Sequence, residues 1–358
     1  MFMRKAIHLL KCWTAFGVLL TTWPASAQLV HRYSFTSNAN DSVGTAHGAA
    51  VQLSDANGPL GSPVLFQNGE ALLDGVGAYI DLPNGLVSTL INVTIEAWVT
   101  VNVNANWARI FDFGASTSFG EVSPAQAVGT GTNYMFLTPN AGGSSNARFT
   151  ITDASNGGER PVLNDPNDFP LAAQTHVAVV YGPPIARLFV DGQQVAAGEA
   201  VVPLSAVADV NNWLGRSQWA DAMFNGSYNE FRIHKGLVGA PEIKASAAAG
   251  PDALDYDPGT VSAVSMTVEG QMLTGATQIP QVTATFSKVG AVSISGPDVT
   301  LSSSATNIVR VTTTGGLTAV APGSATITAS RGGQSATGNI TVSPATPCLL
   351  YTSDAADE

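Results

Sequence analysis

The chain has 358 residues, with 15 Lys+Arg against 26 Asp+Glu and a formal net charge of −11. Hydrophobic residues make up 45% and charged residues only 11%, which excludes a disordered chain, because disorder goes with few apolar residues and dense charge. The acidic balance excludes nucleic acid as the main partner, since phosphate recognition requires a basic patch.

The length predicts about two domains. Residues 1–27 open on Arg4, Lys5 and Lys11, continue with the mostly apolar run 12–23, and end on Pro24 and Ala25-Ser26-Ala27. A basic start, a short apolar run and small residues at the exit predict a signal peptide cut near Ala27-Gln28. The run is too short to span a bilayer comfortably. No transmembrane segment is expected in the mature chain, and the protein is expected to be secreted or held at the cell surface.

From Gln28 to Gly250 the pattern is β. In residues 94–101 Ile95, Ala97, Val99 and Val101 share one face, with Thr94, Glu96, Trp98 and Thr100 on the other. Residues 147–152 alternate likewise, with Phe149 and Ile151 on one face, and 176–181 read as a more evenly apolar central strand. Asp191-Gly192 joins the strands around it as a type I′ hairpin, whose two central residues both need positive φ. A late strand over 229–234 has Phe231 and Ile233 inward. A helix is predicted from Pro241 to about Ala249, because proline suits a helix start. Short strands with Gly, Asn and Pro turns over this length predict an all-β, large antiparallel jelly-roll sandwich.

Residues 251–257 read as a polar linker, and 258–343 as a smaller β-sandwich built on strands such as 281–286 and 324–329. Nine basic and eighteen acidic residues fall in 28–250, whereas 257–343 are balanced. The last eleven residues, 348–358, resemble the translation of an adapter used in preparing DNA sequencing libraries. The natural chain is then expected to continue beyond Pro347, with further domains missing at the C-terminus. Both cysteines, Cys12 and Cys348, fall outside the expected mature chain, so neither a disulfide framework nor thiolate chemistry is predicted.

Several motifs occur in order within 28–250: residues 29–35 (LVHRYSF), 40–42 (NDS), 73–75 (LDG), 79–83 (YIDLP), 94–99 (TIEAWV), 109–114 (RIFDFG), 188–192 (LFVDG), 213–217 (WLGRS) and 230–233 (EFRI). Together they resemble the laminin G-like, concanavalin A-like jelly-roll family of secreted bacterial proteins. In the smaller unit, residues 302–304 (SSS), 316–320 (GLTAV), 322–329 (PGSATITA) and 340–342 (ITV) resemble the bacterial immunoglobulin-like group 2 family, which implies a stalk or spacer.

Catalysis is not predicted. The jelly-roll fold also hosts glucanases, but a retaining glycosidase needs two carboxylates about 5 Å apart. On one strand that means acids at i and i+2, and Glu96 is followed at that spacing by Trp98, while Asp112 has Ile110 and Gly114 there. No nucleophile elbow or zinc-protease pattern is present.

Calcium is the cofactor that the resemblance implies. Residues 37–42 cluster oxygen-bearing side chains in a loop, which suits a hard cation, and the resemblance brings Asp41 and Glu230 toward one another. Asn38, Asp41 and Glu230 are the candidate ligands; an Asx turn and an ion pair between Glu230 and Arg232 are the alternatives. Sugar binding needs aromatic rings beside polar groups. Trp107, Tyr134 and Trp219 are the loop aromatics, and Arg216 and Gln218 beside Trp219 complete the candidate carbohydrate site. Trp98 and Trp213 read as core. The expected function is non-catalytic recognition of carbohydrate or glycosylated matrix by the jelly roll, held out by the immunoglobulin-like spacer. The alternatives are two spacer modules of a large adhesin, and the binding appendage of a truncated glycoside-active enzyme.

Overall fold

A computed structural model describes residues 27–117 and 120–345. Residues 1–26 of the predicted leader and the terminal adapter-like string lie outside the described residues. The larger unit is two antiparallel sheets face to face. One has the strand order Gln193–Glu199, Ile185–Val190, Gln174–Gly182, Val93–Val103, Asn225–Lys235, Glu70–Asp74 and Leu65–Gln67, with Gln28–Tyr33 also paired to Asn225–Lys235. The other runs Val162–Asp168, Asn146–Thr152, Gly131–Thr138, Phe111–Ser116, Asn211–Leu214, Ala78–Leu82 and Ala49–Gln52.

Alternation fills the space between them. Ile95, Val99 and Val101 from one sheet meet Phe111, Phe113, Met135 and Phe149 from the other in a single buried cluster that also holds Phe231 and Ile233. The Asp191-Gly192 turn has φ of 47° and 72°, as a type I′ hairpin requires.

The outer face of the first sheet is buried as well. Thr94, Glu96 and Trp98 are at most 2% exposed. Ala178, Val180 and Phe189 pack there against Val238, Ala240 and Ile243 and, from the smaller unit, Val282, Ala284, Phe286 and Ile294, all in one cluster. The helix Ala240–Ala249 lies in this layer. Its N-cap, Gly239, offers no side-chain bond; instead Asp298 of the smaller unit accepts from the Ala240 N–H at 3.1 Å. The same carboxylate pairs with Arg187 at 2.5 Å, with both side chains almost wholly buried. Residues 251–257, expected to be a plain linker, are gripped too: Arg232 Nη2 donates to the Pro251 and Ala253 carbonyls.

That layer also encloses Glu96, whose two oxygens lie 3.1 Å from His176 Nε2 and 2.8 Å from His234 Nε2. Burial by itself would raise this carboxyl, but the bonds from His176 and His234 hold it far below the ordinary glutamate range. The smaller unit, Val261–Ser343, is made of three small sheets around a core of Val309, Leu317, Ile327 and Ile340.

Candidate functional site

The site lies on the outer face of the second sheet. In Gly131–Thr138, Met135 and Leu137 point into the core, so Tyr134 and Phe136 stand on the other face. Their rings stack with centroids 5.6 Å apart. Arg148 comes from the neighbouring strand, opposite Thr138. Loops close the rim: Trp107 between two strands, Asn156 and Glu159 after Asn146–Thr152, and Trp219 and Asp221 before Asn225–Lys235. The resulting cleft has a volume of about 360 Å³, within the usual range for small-molecule sites.

Glycines let the two tryptophans close in. A Cβ at Gly131 would come within 2.4 Å of Trp219 Nε1, and one at Gly142 within 2.9 Å of Trp107 Cζ2. Trp107 itself adopts a φ of 60°, a conformation uncommon outside glycine. It is held by its N–H to the Asn140 carbonyl at 3.0 Å and by Arg109 Nη1 on its own carbonyl at 2.5 Å. Trp107 meets Phe136 edge-on at 6.3 Å, and Trp219 meets Tyr134 edge-on at 6.5 Å.

Charge is arranged around these rings. Arg109 lies 3.9 Å above the Phe136 ring and donates to Asp112 at 3.1 Å and Asp221 at 2.9 Å. Asp221 also accepts from Ser217 Oγ at 2.9 Å. Arg148 donates through Nε to Asn164 at 2.7 Å and sits 5.3 Å from the Trp107 ring. Tyr134 donates its hydroxyl to Glu159 at 2.8 Å. Burial, and then Glu159, push this phenol well above its ordinary value, so it remains a donor at neutral pH. Behind the cleft, burial pushes the Asp112 carboxyl up to about 6 despite Arg109.

Of the five residues expected at the sugar site, Trp107, Tyr134 and Trp219 line this one cleft. Tyr134 stands on a strand rather than in a loop and is only 1% exposed, covered by Phe136, Trp219 and Glu159. Arg216 and Gln218 do not line this cleft. Arg216 is wedged into the sheet, 4.2 Å from the Trp213 ring and bonded to Tyr79 Oη at 3.0 Å. Gln218 is fully buried and donates to the Asn211 carbonyl at 2.9 Å. Both brace the loop that carries Trp219. Sequence reasoning missed Phe136, Arg148 and Glu159. The alternation Tyr134-Met-Phe136 beside Arg148-Phe-Thr was the available signal, but only the pairing of the two strands puts those side chains on one face.

The candidate calcium ligands do not fit a cation. Asp41 accepts the backbone N–H groups of Arg32, Val43, Gly44 and Ala46, and its Oδ2 lies 2.7 Å from His31 Nδ1. That uses up a carboxylate's accepting capacity. Glu230 receives Arg32 Nε and Arg232 Nε on one oxygen, both at 2.6 Å, so a cation there would face two guanidinium groups. Asn38 Oδ1 caps the Asn40 N–H, as an Asx turn does. The Glu230–Arg232 pair is buried, not superficial. Among the described residues no group of three His, Cys, Asp or Glu is placed to hold a metal, and no helix is long and apolar enough to cross a membrane.

The two large antiparallel sheets form a jelly-roll sandwich. Residues 74–244 match the family described as the concanavalin A-like lectin/glucanases superfamily, which supports the jelly roll expected from the sequence. Among solved structures, the chain is similar to domain 4 of an extracellular arabinanase from Geobacillus stearothermophilus in complex with arabinotriose. That similarity is at 21% identity and a TM-score of 0.49, covering 61% of this chain and 98% of that one. It is also similar to the CBM40 of a Ruminococcus gnavus sialidase bound to α2,3-sialyllactose, at 14% identity, a TM-score of 0.36, and 44% and 84% coverage. A sialidase of Trypanosoma rangeli in complex with sialic acid matches at 15% identity and a TM-score of 0.42; the chain spans 32% of its length, and the match covers 60% of this chain. No curated protein matches the chain by sequence.

Proposed function

We propose that this protein is an exported, non-catalytic carbohydrate-binding protein whose jelly roll holds a saccharide in the Trp107–Trp219 cleft. One observation carries the reading: the partly exposed rings of Trp107 and Trp219, backed by the buried rings of Tyr134 and Phe136, meet Arg148, Asn156 and Glu159 in a single recess. A sugar has an apolar C–H face and a hydroxyl rim, and such a recess answers both. Glu159 can accept from hydroxyls through the oxygen that Tyr134 leaves free, and Arg148 can donate through its Nη groups.

The carboxylates favour binding over hydrolysis. A glycosidase needs an acid and a second carboxylate; Asp221 is tied to Arg109 and Ser217, and Asp112 is fully buried, so Glu159 stands alone. Residues 1–27, read as a signal peptide, fit export to a compartment rich in glycans. The smaller unit, read as immunoglobulin-like, serves as a support seated on the jelly roll.

The test is a glycan array with a polysaccharide pull-down, run on the protein and on Trp219→Ala and Trp107→Ala. Each variant is expected to lose roughly 2 kcal/mol or more of binding, as buried aromatic anchors do, with its thermal midpoint nearly unchanged. Silence of the unaltered protein across neutral and acidic glycans sinks the proposal.

A further inference from the structure

The cleft has a neighbour. On the other side of Trp219 lies a second recess of about 520 Å³, lined by Leu60, Pro124, Ala127, Gln126 and Met223. Trp219 and Asp221 line both recesses, so the Trp219 indole is a shared wall between them. The ring is partly exposed. Its position is fixed from the backbone, because its N–H donates to Ser217 Oγ at 3.0 Å and the adjacent Gln218 N–H donates to Asp112 at 3.0 Å.

The two recesses differ in chemistry. The first is ringed by aromatics and charged groups. The second joins an apolar wall of Leu60, Pro124, Ala127 and Met223 to polar groups from Asp55, Gln126, Arg216 and Ser217. A ligand confined to one ring would fill the first and leave the second to water. A linear saccharide repeats the same apolar face and polar rim along its length, so it can engage both, with Trp219 against it at the crossing point.

We propose that the ligand is an oligosaccharide or polysaccharide chain that runs across Trp219 and occupies both recesses, rather than a single terminal sugar. This rests on the carbohydrate-binding reading above and specifies its ligand class. Filling a second subsite adds contact without a second loss of translational freedom, so affinity rises with chain length until both recesses are occupied and then levels off.

The test is calorimetric titration with ladders of arabino-, xylo- and cello-oligosaccharides, each from the monosaccharide to the hexasaccharide. For the ladder that binds, the affinity is expected to rise at least about tenfold between its shortest bound member and the plateau. Ala127→Trp, on an exposed stretch of the second recess, is expected to abolish that rise while the shortest bound member keeps its affinity within about twofold. Ala125→Trp is a second blocking variant should Ala127→Trp fold poorly. Binding that is already maximal for the monosaccharide, or a length dependence untouched by both blocks, overturns the chain-spanning proposal and leaves the carbohydrate reading standing. Absence of binding by every member of every ladder overturns the chain-spanning proposal, and with the glycan array silent as well it overturns both.

Discussion

Asp298 joins the two units, and removing its carboxylate tests how tightly. Arg187 and Asp298 side chains are 1% and 5% exposed, and the bond between them is 2.5 Å. Arg187 Nε and Nη2 are buried and have no hydrogen-bond partner, so Asp298 is what compensates the guanidinium. In Asp298→Ala that charge loses its hydrogen-bonded partner and keeps only the Glu242 carboxylate nearby, beside Phe189, and breaking a buried pair from one side costs roughly 3–5 kcal/mol. Loss of the bond to the Ala240 N–H adds about 1 kcal/mol, as for other helix caps. At roughly 2–4 °C per kcal/mol for a protein of this size, the thermal midpoint should fall by about 8 °C or more. Scanning calorimetry of the full chain is the assay. The shared cluster of Phe189, Ile243 and Phe286 predicts one cooperative transition rather than two. Arg187→Met combined with Asp298→Leu, which removes both charges and fills the space with apolar atoms, should recover most of the loss. A midpoint shift under about 2 °C for Asp298→Ala, or a double variant as damaged as the single one, refutes the argument that a desolvated charge is at stake.

Arg216→Ala should lower the thermal midpoint, because it strips a buried guanidinium from the Trp213 and Tyr79 rings; chemical denaturation should show a loss of roughly 2 kcal/mol. Glu96 is held below its ordinary value of 4.5, so its stabilisation is complete above that pH and disappears as pH falls through its folded value. Glu96→Gln should therefore flatten the acid limb of a midpoint-versus-pH curve. Asp81 runs the other way: burial, helped by the Glu121 carboxylate, pushes it up to about 6, so it withdraws stability as pH rises from its ordinary 3.8. Asp81→Asn should raise the midpoint at pH above about 7 and leave it unchanged near pH 4. Calcium at a hundredfold excess over the affinity of a true site would add about 2.7 kcal/mol; with Asp41 and Glu230 already engaged, neither calcium nor a chelator should move the midpoint.

The β architecture is legible in the order of residues along the chain. Period-two alternation in 94–101 and 147–152 assigns an inward face, and a face of Ile, Val and Phe has nowhere stable to go except against another sheet. Pro241 and Asp191-Gly192 fixed a helix start and a hairpin for equally local reasons, since one presets φ and the other tolerates positive φ. Trp107, Tyr134 and Trp219 could be singled out as sugar-facing types, but not as neighbours: 112 residues separate the first from the last, and only the order of strands in the second sheet brings them around one cleft. The same limit explains why Arg216 and Gln218, close to Trp219 in the chain, stay outside that cleft. Pairing of distant acids and bases was likewise invisible. Glu96 between His176 and His234, and Asp298 on Arg187, are set by sheet register and by the seating of one unit on the other, because a buried charge is tolerated only where a partner from elsewhere in the chain arrives to meet it.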